Sequence, residues 1–112
     1  MKIDFSQPIL DLDGKPLLEP AEDPSQAKPI TPRKICIEVL LATLSGPNGQ
    51  PESLSGEEKL RHGLLAREIH KAEYPLDLKL EDLALLKDRV GRACTSLTVM
   101  RIWAMLDPVG SK

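Results

Sequence analysis

Hydrophobic residues fall at two different spacings along this chain, and the change of spacing divides it. In the first 30 residues Ile3 and Phe5 alternate with polar neighbours, Pro8 interrupts, and Ile9-Leu10-Asp11-Leu12 reads as a short strand. Between Glu19 and Pro29 the chain is rich in Pro, Ala and charge without a period, the pattern of a linker or extended wrap. From Thr31 onward the apolar residues recur every three or four positions, and helices are expected.

The first helix opens at Thr31-Pro32, an N-cap followed by a proline whose missing N–H costs nothing in the first turn. Cys36, Ile37, Leu40, Leu41 and Leu44 form one apolar face and Ile35, Val39 and Ala42 a second, which predicts a central helix running to Gly46-Pro47. Ser55-Gly56-Glu57-Glu58 is a capping box that starts the second helix. Leu60, Leu64, Leu65 and Ile69 are its expected buried stripe, and Tyr74-Pro75 stops it. Leu76, Leu78 and Leu80 alternate in a short extended piece, followed by a third helix from Glu81 to Cys94 with Leu83, Leu86, Val90 and Ala93 inward. Gly91 in its interior costs about 1 kcal/mol relative to Ala and suggests a close helix crossing. Thr95-Ser96 caps a fourth helix with Val99, Ile102, Trp103 and Leu106 on one face, ended by Asp107-Pro108. The pattern predicts a mainly α protein. An extended arm, residues 1–30, able to form a short β-hairpin, precedes a compact four-helix domain, 31–108, and a C-terminal tail, 109–112.

Composition adds two constraints. Eight of the ten prolines lie in the first 51 residues, and Phe5, Tyr74 and Trp103 are the only aromatic residues, so the core must be aliphatic. The net charge of −2 gives no general attraction to nucleic acid or an anionic membrane. Residues 1–30 carry −3 and the remainder +1, a mildly acidic arm on a nearly neutral body. There is no apolar leader after Met1-Lys2 and no stretch approaching the roughly 20 residues of a membrane span, so a reducing cytoplasmic setting is expected. Cys36 and Cys94 then read as buried free thiols.

Candidate chemistry is sparse. Counted from Asp11 as an EF-hand-type loop, Asp13 and Glu22 fall at ligand positions, but Lys15 stands where a ligand belongs and Pro16 where the tight bend needs Gly. Asp13-Gly14 reads instead as a two-residue hairpin turn. His62 and His70 are eight residues apart on one helix, about 12 Å, too far to share a metal. Neither a phosphate-binding loop nor a local nucleophile–base signature is present. No catalytic, cofactor-binding or metal site is therefore assigned, and the chain is expected not to be an enzyme. Arg61, Arg67, Arg89 and Arg92 could form a small basic patch for DNA, although acidic residues are interleaved with them.

Protein–protein contact fits better. The arm holds Phe5, Ile9, Leu10, Leu12, Leu17 and Leu18, too many large apolar groups for a disordered tail. They either cover the chain's own helices or dock on another protein. Met100 and Trp103 suit an adaptable contact surface, although the burial trend favours a core anchor as the role of Trp103. If the arm docks outward, the helical body stands without residues 1–18.

The segments KIDFSQPILDLDGKPL, SGEEKLRHGLLAREIHKAE, LKLEDLALLKDRVGRA and TSLTVMRIWAMLDP together resemble small proteins encoded by tailed bacteriophages and prophages of Gram-negative bacteria. Lys79 departs from the Ser or Thr expected to cap the third helix, and Cys94-Thr95 replaces an aromatic residue. The resemblance implies a phage accessory protein in virion or tail assembly, located in the cytoplasm of the host bacterium or on the virion, that binds a phage structural protein, a host protein or itself. It transfers no functional residue. The other reading is a small DNA-binding or host-transcription or defence-modulating phage protein.

Overall fold

The computed structural model describes residues 2–46 and 48–106; the expected end of the fourth helix at Asp107-Pro108 and the 109–112 tail lie outside them. Among the described residues there are four α-helices: α1 (Pro32–Leu41), α2 (Gly56–Lys71), α3 (Leu80–Ala93) and α4 (Ser96–Leu106). α1 packs on both α2 and α3, and α4 packs on α3. Two short strands, β1 (Lys2–Ile3) and β2 (Leu76–Asp77), pair antiparallel with Ile3 opposite Leu76.

Local chemistry sets the helix starts. Thr31 accepts the Lys34 N–H, and Pro32 occupies the first turn of α1. Ser55 and Glu58 exchange both bonds of the capping box at α2. α1 ends earlier than its apolar pattern suggests, with Leu41 rather than near Gly46, because the Arg89 side chain takes the carbonyls of Val39 in its last turn and of the C-cap Ala42.

The arm packs on its own domain. Ile3, Phe5 and Ile9 belong to the same buried cluster as Cys36, Leu40, Ile69, Leu86, Val90, Ile102 and Leu106. The Phe5 ring tilts against Tyr74, and its carbonyl accepts the Arg33 N–H at 3.0 Å, satisfying an orphan donor at the start of α1. Three extended segments then close a ring of main-chain bonds. Ile9 N–H donates to Ile30, Ile30 N–H to Leu17 and Leu17 N–H back to Ile9, each at 2.8 Å. The aperiodic stretch after Glu19 is thus a wrap that returns to pair with the arm, not a free linker.

The expected hairpin is present with a longer loop. Leu10 bridges Pro16, Asp11 N–H donates to the Lys15 carbonyl, and Gly14 N–H closes back on the Asp11 carbonyl. Gly14, at φ +83°, is the left-handed residue such a three-residue loop requires. The same unit recurs after α1. Ser45 bridges Pro51, Gly46 N–H donates to Gln50, Gly49 N–H returns to Gly46, and Gly49 sits at φ +75°. Asp-Gly-Lys-Pro and Asn-Gly-Gln-Pro are therefore two copies of one turn.

Burial corrects several expected faces. In α2 the inward residues are His62, Leu65, Ala66 and Ile69, whereas Leu60 and Leu64 point outward. In α3 Leu83, Leu86 and Val90 are inward as expected, Ala93 is exposed, and Arg89 is buried. Cys36 is buried and Cys94 only half-buried. Gly91 marks a close approach: a Cβ there would come within 2.8 Å of the Trp103 indole.

Because Phe5 is fully enclosed, Phe5→Ala should destabilise the fold by about 3–5 kcal/mol. Deleting residues 1–18 removes Ile3, Phe5 and Ile9 together. The helical circular dichroism signal should be lost rather than retained, and urea unfolding of both variants reads the effect.

Candidate functional site

A dense polar arrangement lies where α1 ends. Arg89 is 1% exposed, and its guanidinium donates through Nε to the Val39 carbonyl at 3.0 Å and through Nη2 to the Ala42 carbonyl at 2.6 Å. Nη1 meets both oxygens of Glu52 at 2.7 and 2.8 Å. Glu52 sits at the end of the second hairpin and also accepts the Leu44 N–H at 2.6 Å, while Arg92 approaches it at 3.2 Å. Burial works against ionising Glu52, but the Leu44 N–H, the Arg89 hydrogen bonds and the two guanidinium charges outweigh it and hold the carboxyl below its ordinary range. Every oxygen and nearly every N–H of the pair is engaged, leaving no group directed at a substrate. The pair ties helix ends together.

That role recurs in the other arginines. Arg33 donates to the His70 carbonyl at the end of α2, and Arg92 to Ser45. Arg61 donates to Glu81, and Arg101 grips Leu10 and Asp11 at 3.0 and 2.6 Å. Five of the six arginines thus serve main-chain carbonyls, the exception being Arg67, which is exposed. The basic patch expected from Arg61, Arg67, Arg89 and Arg92 is not assembled. Arg89 is interior and Arg92 is spent on Glu52, Asp88 and Ser45.

His62 lies beside the Arg89–Glu52 pair, buried on α2, and its Nδ1 has no hydrogen-bond partner among the described residues. Burial, and then the Arg89 charge, lower its pKa, with Glu52 and Glu58 pulling weakly the other way. Burial pushes the Cys36 thiol up to about 12, so it is protonated and not a nucleophile at neutral pH. Among the described residues no cluster of three or more His, Cys, Asp or Glu could hold a metal ion. No described helix is long and apolar enough to cross a membrane.

The expected contact residues divide into three groups. Phe5 and Ile9 belong to the core rather than to an outer surface. Leu17 is half-buried against it, and Leu10 is half-buried at the base of the first hairpin. Leu12, Leu18, Met100 and Trp103 face outward. Trp103 is 39% exposed and serves α3 as well as solvent. Its Nε1 donates to the Lys87 carbonyl, the Lys87 ammonium lies 5.0 Å from the ring centre, and the indole covers Gly91.

Leu12 is 80% exposed at the tip of the first hairpin. Its turn is held from inside by one Asp11 carboxylate oxygen, which accepts the Asp13 and Lys15 N–H groups at 2.8 and 2.9 Å. Arg101 of α4 fixes the base of the same hairpin through the Leu10 and Asp11 carbonyls. Beside that base an apolar trough of about 380 Å³ runs between the arm and α4, lined in part by Pro8, Leu10, Arg101 and Met105. A large apolar side chain is therefore displayed on a braced loop next to a recess. The feature that sequence reasoning missed was the bracing, for which Asp11 two residues before Asp13-Gly14 was the available signal. The chain was compared with protein-family models, curated proteins and solved structures, and none matched.

His62 and Glu52 act in different pH windows. His62 is kept neutral by the fold, so its contribution is unperturbed above the ordinary 6.5 and costs stability as pH falls below it. Glu52 is kept ionised, so its contribution is complete above its ordinary 4.5 and is lost as pH falls through the lowered folded value. Urea midpoints should therefore decline in two stages on acidification. His62→Leu should flatten the first and Glu52→Gln the second. Arg89→Met should cost about 3–5 kcal/mol at neutral pH by stranding the Glu52 carboxylate.

Proposed function

We propose that this protein is a non-enzymatic protein-interaction module, a phage-encoded accessory factor that acts in virion or tail assembly and works in the host cytoplasm or on the particle. The observation that carries the reading is Leu12, a large apolar side chain displayed on a loop braced by Asp11 and Arg101. Holding such a loop in one conformation removes part of the ordering cost of association, which is the physical benefit of a preformed binding element. Leu12 together with the trough between the arm and α4 suits a partner that offers an apolar pocket to the first and a short side chain to the second. Leu18 and Met100 are further exposed apolar groups for such a contact. The resemblance of the chain's segments to tailed-phage and prophage proteins supports the biological setting. The consumption of Arg89 and Arg92 by internal contacts weighs against the nucleic-acid alternative.

Affinity capture from infected or lysogenic cells, with the full-length chain as bait, tests the proposal. The wild type should retain a defined phage or host protein. Leu12→Glu should weaken that capture by at least tenfold, about 1.4 kcal/mol, with its circular dichroism and urea midpoint unchanged. Undiminished capture by Leu12→Glu would remove the hairpin from the interface.

A further inference from the structure

We infer that the outer face of α2 is a self-complementary surface on which a second copy of this chain docks with its α2 antiparallel to the first. This face is distinct from the Leu12 hairpin, and the inference does not rest on the role proposed for that hairpin. Leu60 and Leu64 are 62% and 42% exposed, on the side of α2 opposite the buried His62, Leu65, Ala66 and Ile69. They are one helical turn apart, so they form a continuous apolar ridge. The ridge borders a groove of about 490 Å³ that reaches Lys79 and Asp82 at the start of α3.

Charge decides the occupant. Glu57 precedes Leu60 by three residues and Arg67 follows Leu64 by three, so the stripe reads acid–Leu–Leu–base with palindromic spacing. Both charged residues are exposed, and among the described residues neither side chain makes an ion pair or hydrogen bond. The contrast with the rest of the molecule is informative, since every other arginine is bound to a main-chain carbonyl. Under a two-fold axis that sets two such helices antiparallel, Leu60 of each copy meets Leu64 of the other, and Glu57 of each meets Arg67 of the other. Two ion pairs then flank four leucines, and the contact closes on itself as an isologous dimer. A parallel arrangement would set Glu57 against Glu57 and Arg67 against Arg67, so the charges select the antiparallel one. The net charge of −2 per chain opposes the pairing only weakly. A contact centred on one 16-residue helix per copy is small, and a weak, concentration-dependent dimer is expected.

Sedimentation equilibrium on the full chain, from about 1 µM to about 1 mM, tests this. The wild type should show a monomer–dimer equilibrium, and Leu60→Glu/Leu64→Glu should remain monomeric throughout while keeping its circular dichroism spectrum. Glu57→Arg and Arg67→Glu, made singly, should each weaken the dimer roughly tenfold by placing like charges opposite one another, and the double exchange should restore it to within about threefold. That rescue cannot come from a misfolded variant. Leu12→Glu should leave the dimer constant unchanged. A wild type that is monomeric at the highest concentration, a dimer indifferent to the leucine pair, or single charge variants without rescue would each overturn the inference. Should a monomeric wild type lose a captured heterologous protein through Leu60→Glu/Leu64→Glu, the face belongs to that protein instead. Loss of capture by Leu12→Glu alone would leave the dimer standing.

Discussion

The buried pairing of Arg89 with Glu52 is the constraint on which the rest of the structure depends. One guanidinium reaches the last carbonyls of α1, the carboxylate that closes the second hairpin, and, through its own backbone, the middle of α3. α1 stops where it does because Arg89 takes carbonyls that a further turn of helix would need. Glu52 then accepts the N–H of Leu44, so the chain leaving α1 is turned at once into the hairpin. Such a pair is expensive to desolvate, and a well-packed apolar substitute for both residues could be equally stable. What it supplies is direction: two oxygens and a planar fork can be satisfied in one arrangement only, which fixes how α1 and α3 meet. An aliphatic core of Leu, Ile and Val would specify that register less sharply.

The other arginines extend the same logic. Short elements leave many unpaired carbonyls for their length, since every helix ends with four. With four helices among its described residues and a wrapped arm, the chain has many such ends and few aromatic side chains to cover them. Long cationic side chains close those ends from a distance and lay their methylene stems across apolar neighbours on the way. The arginines here are mostly internal fastenings, which is why those of α2 and α3 do not add up to a surface patch.

How legible this was in the sequence depends on the range of the interaction. The Thr31-Pro32 start, the Ser55–Glu58 box and the Asp-Gly turn were readable because their partners lie within four residues. The spacing of Leu83, Leu86 and Val90 likewise gave the inner face of α3. In α2 two stripes compete, Leu60 with Leu64 and His62 with Ala66. Hydropathy favours the leucines, but the geometry imposed by α1 and Arg89 turns the helix the other way, and nothing local reveals that. Arg89 itself looks like any exposed cation in its heptad, because its carbonyl partners are about fifty residues away. Of the contact residues, the arm's alternation could not distinguish covering the chain's own helices from covering another protein. The structure places Phe5 and Ile9 inside and leaves Leu12 out.

The grip of Arg101 on Leu10 and Asp11 bears on how the molecule is made. A residue of α4 holds the arm, and β1 waits for β2, so the first ten residues leave the ribosome long before the groups that will cover them exist. At ordinary elongation speeds of about 5–20 residues per second, Ile3, Phe5 and Ile9 are exposed for roughly 5–20 s of synthesis. During that interval the nascent chain is a substrate for chaperones and a hazard to its neighbours on the same messenger. The arm that completes the finished core is, until α4 emerges, apolar chain without its cover.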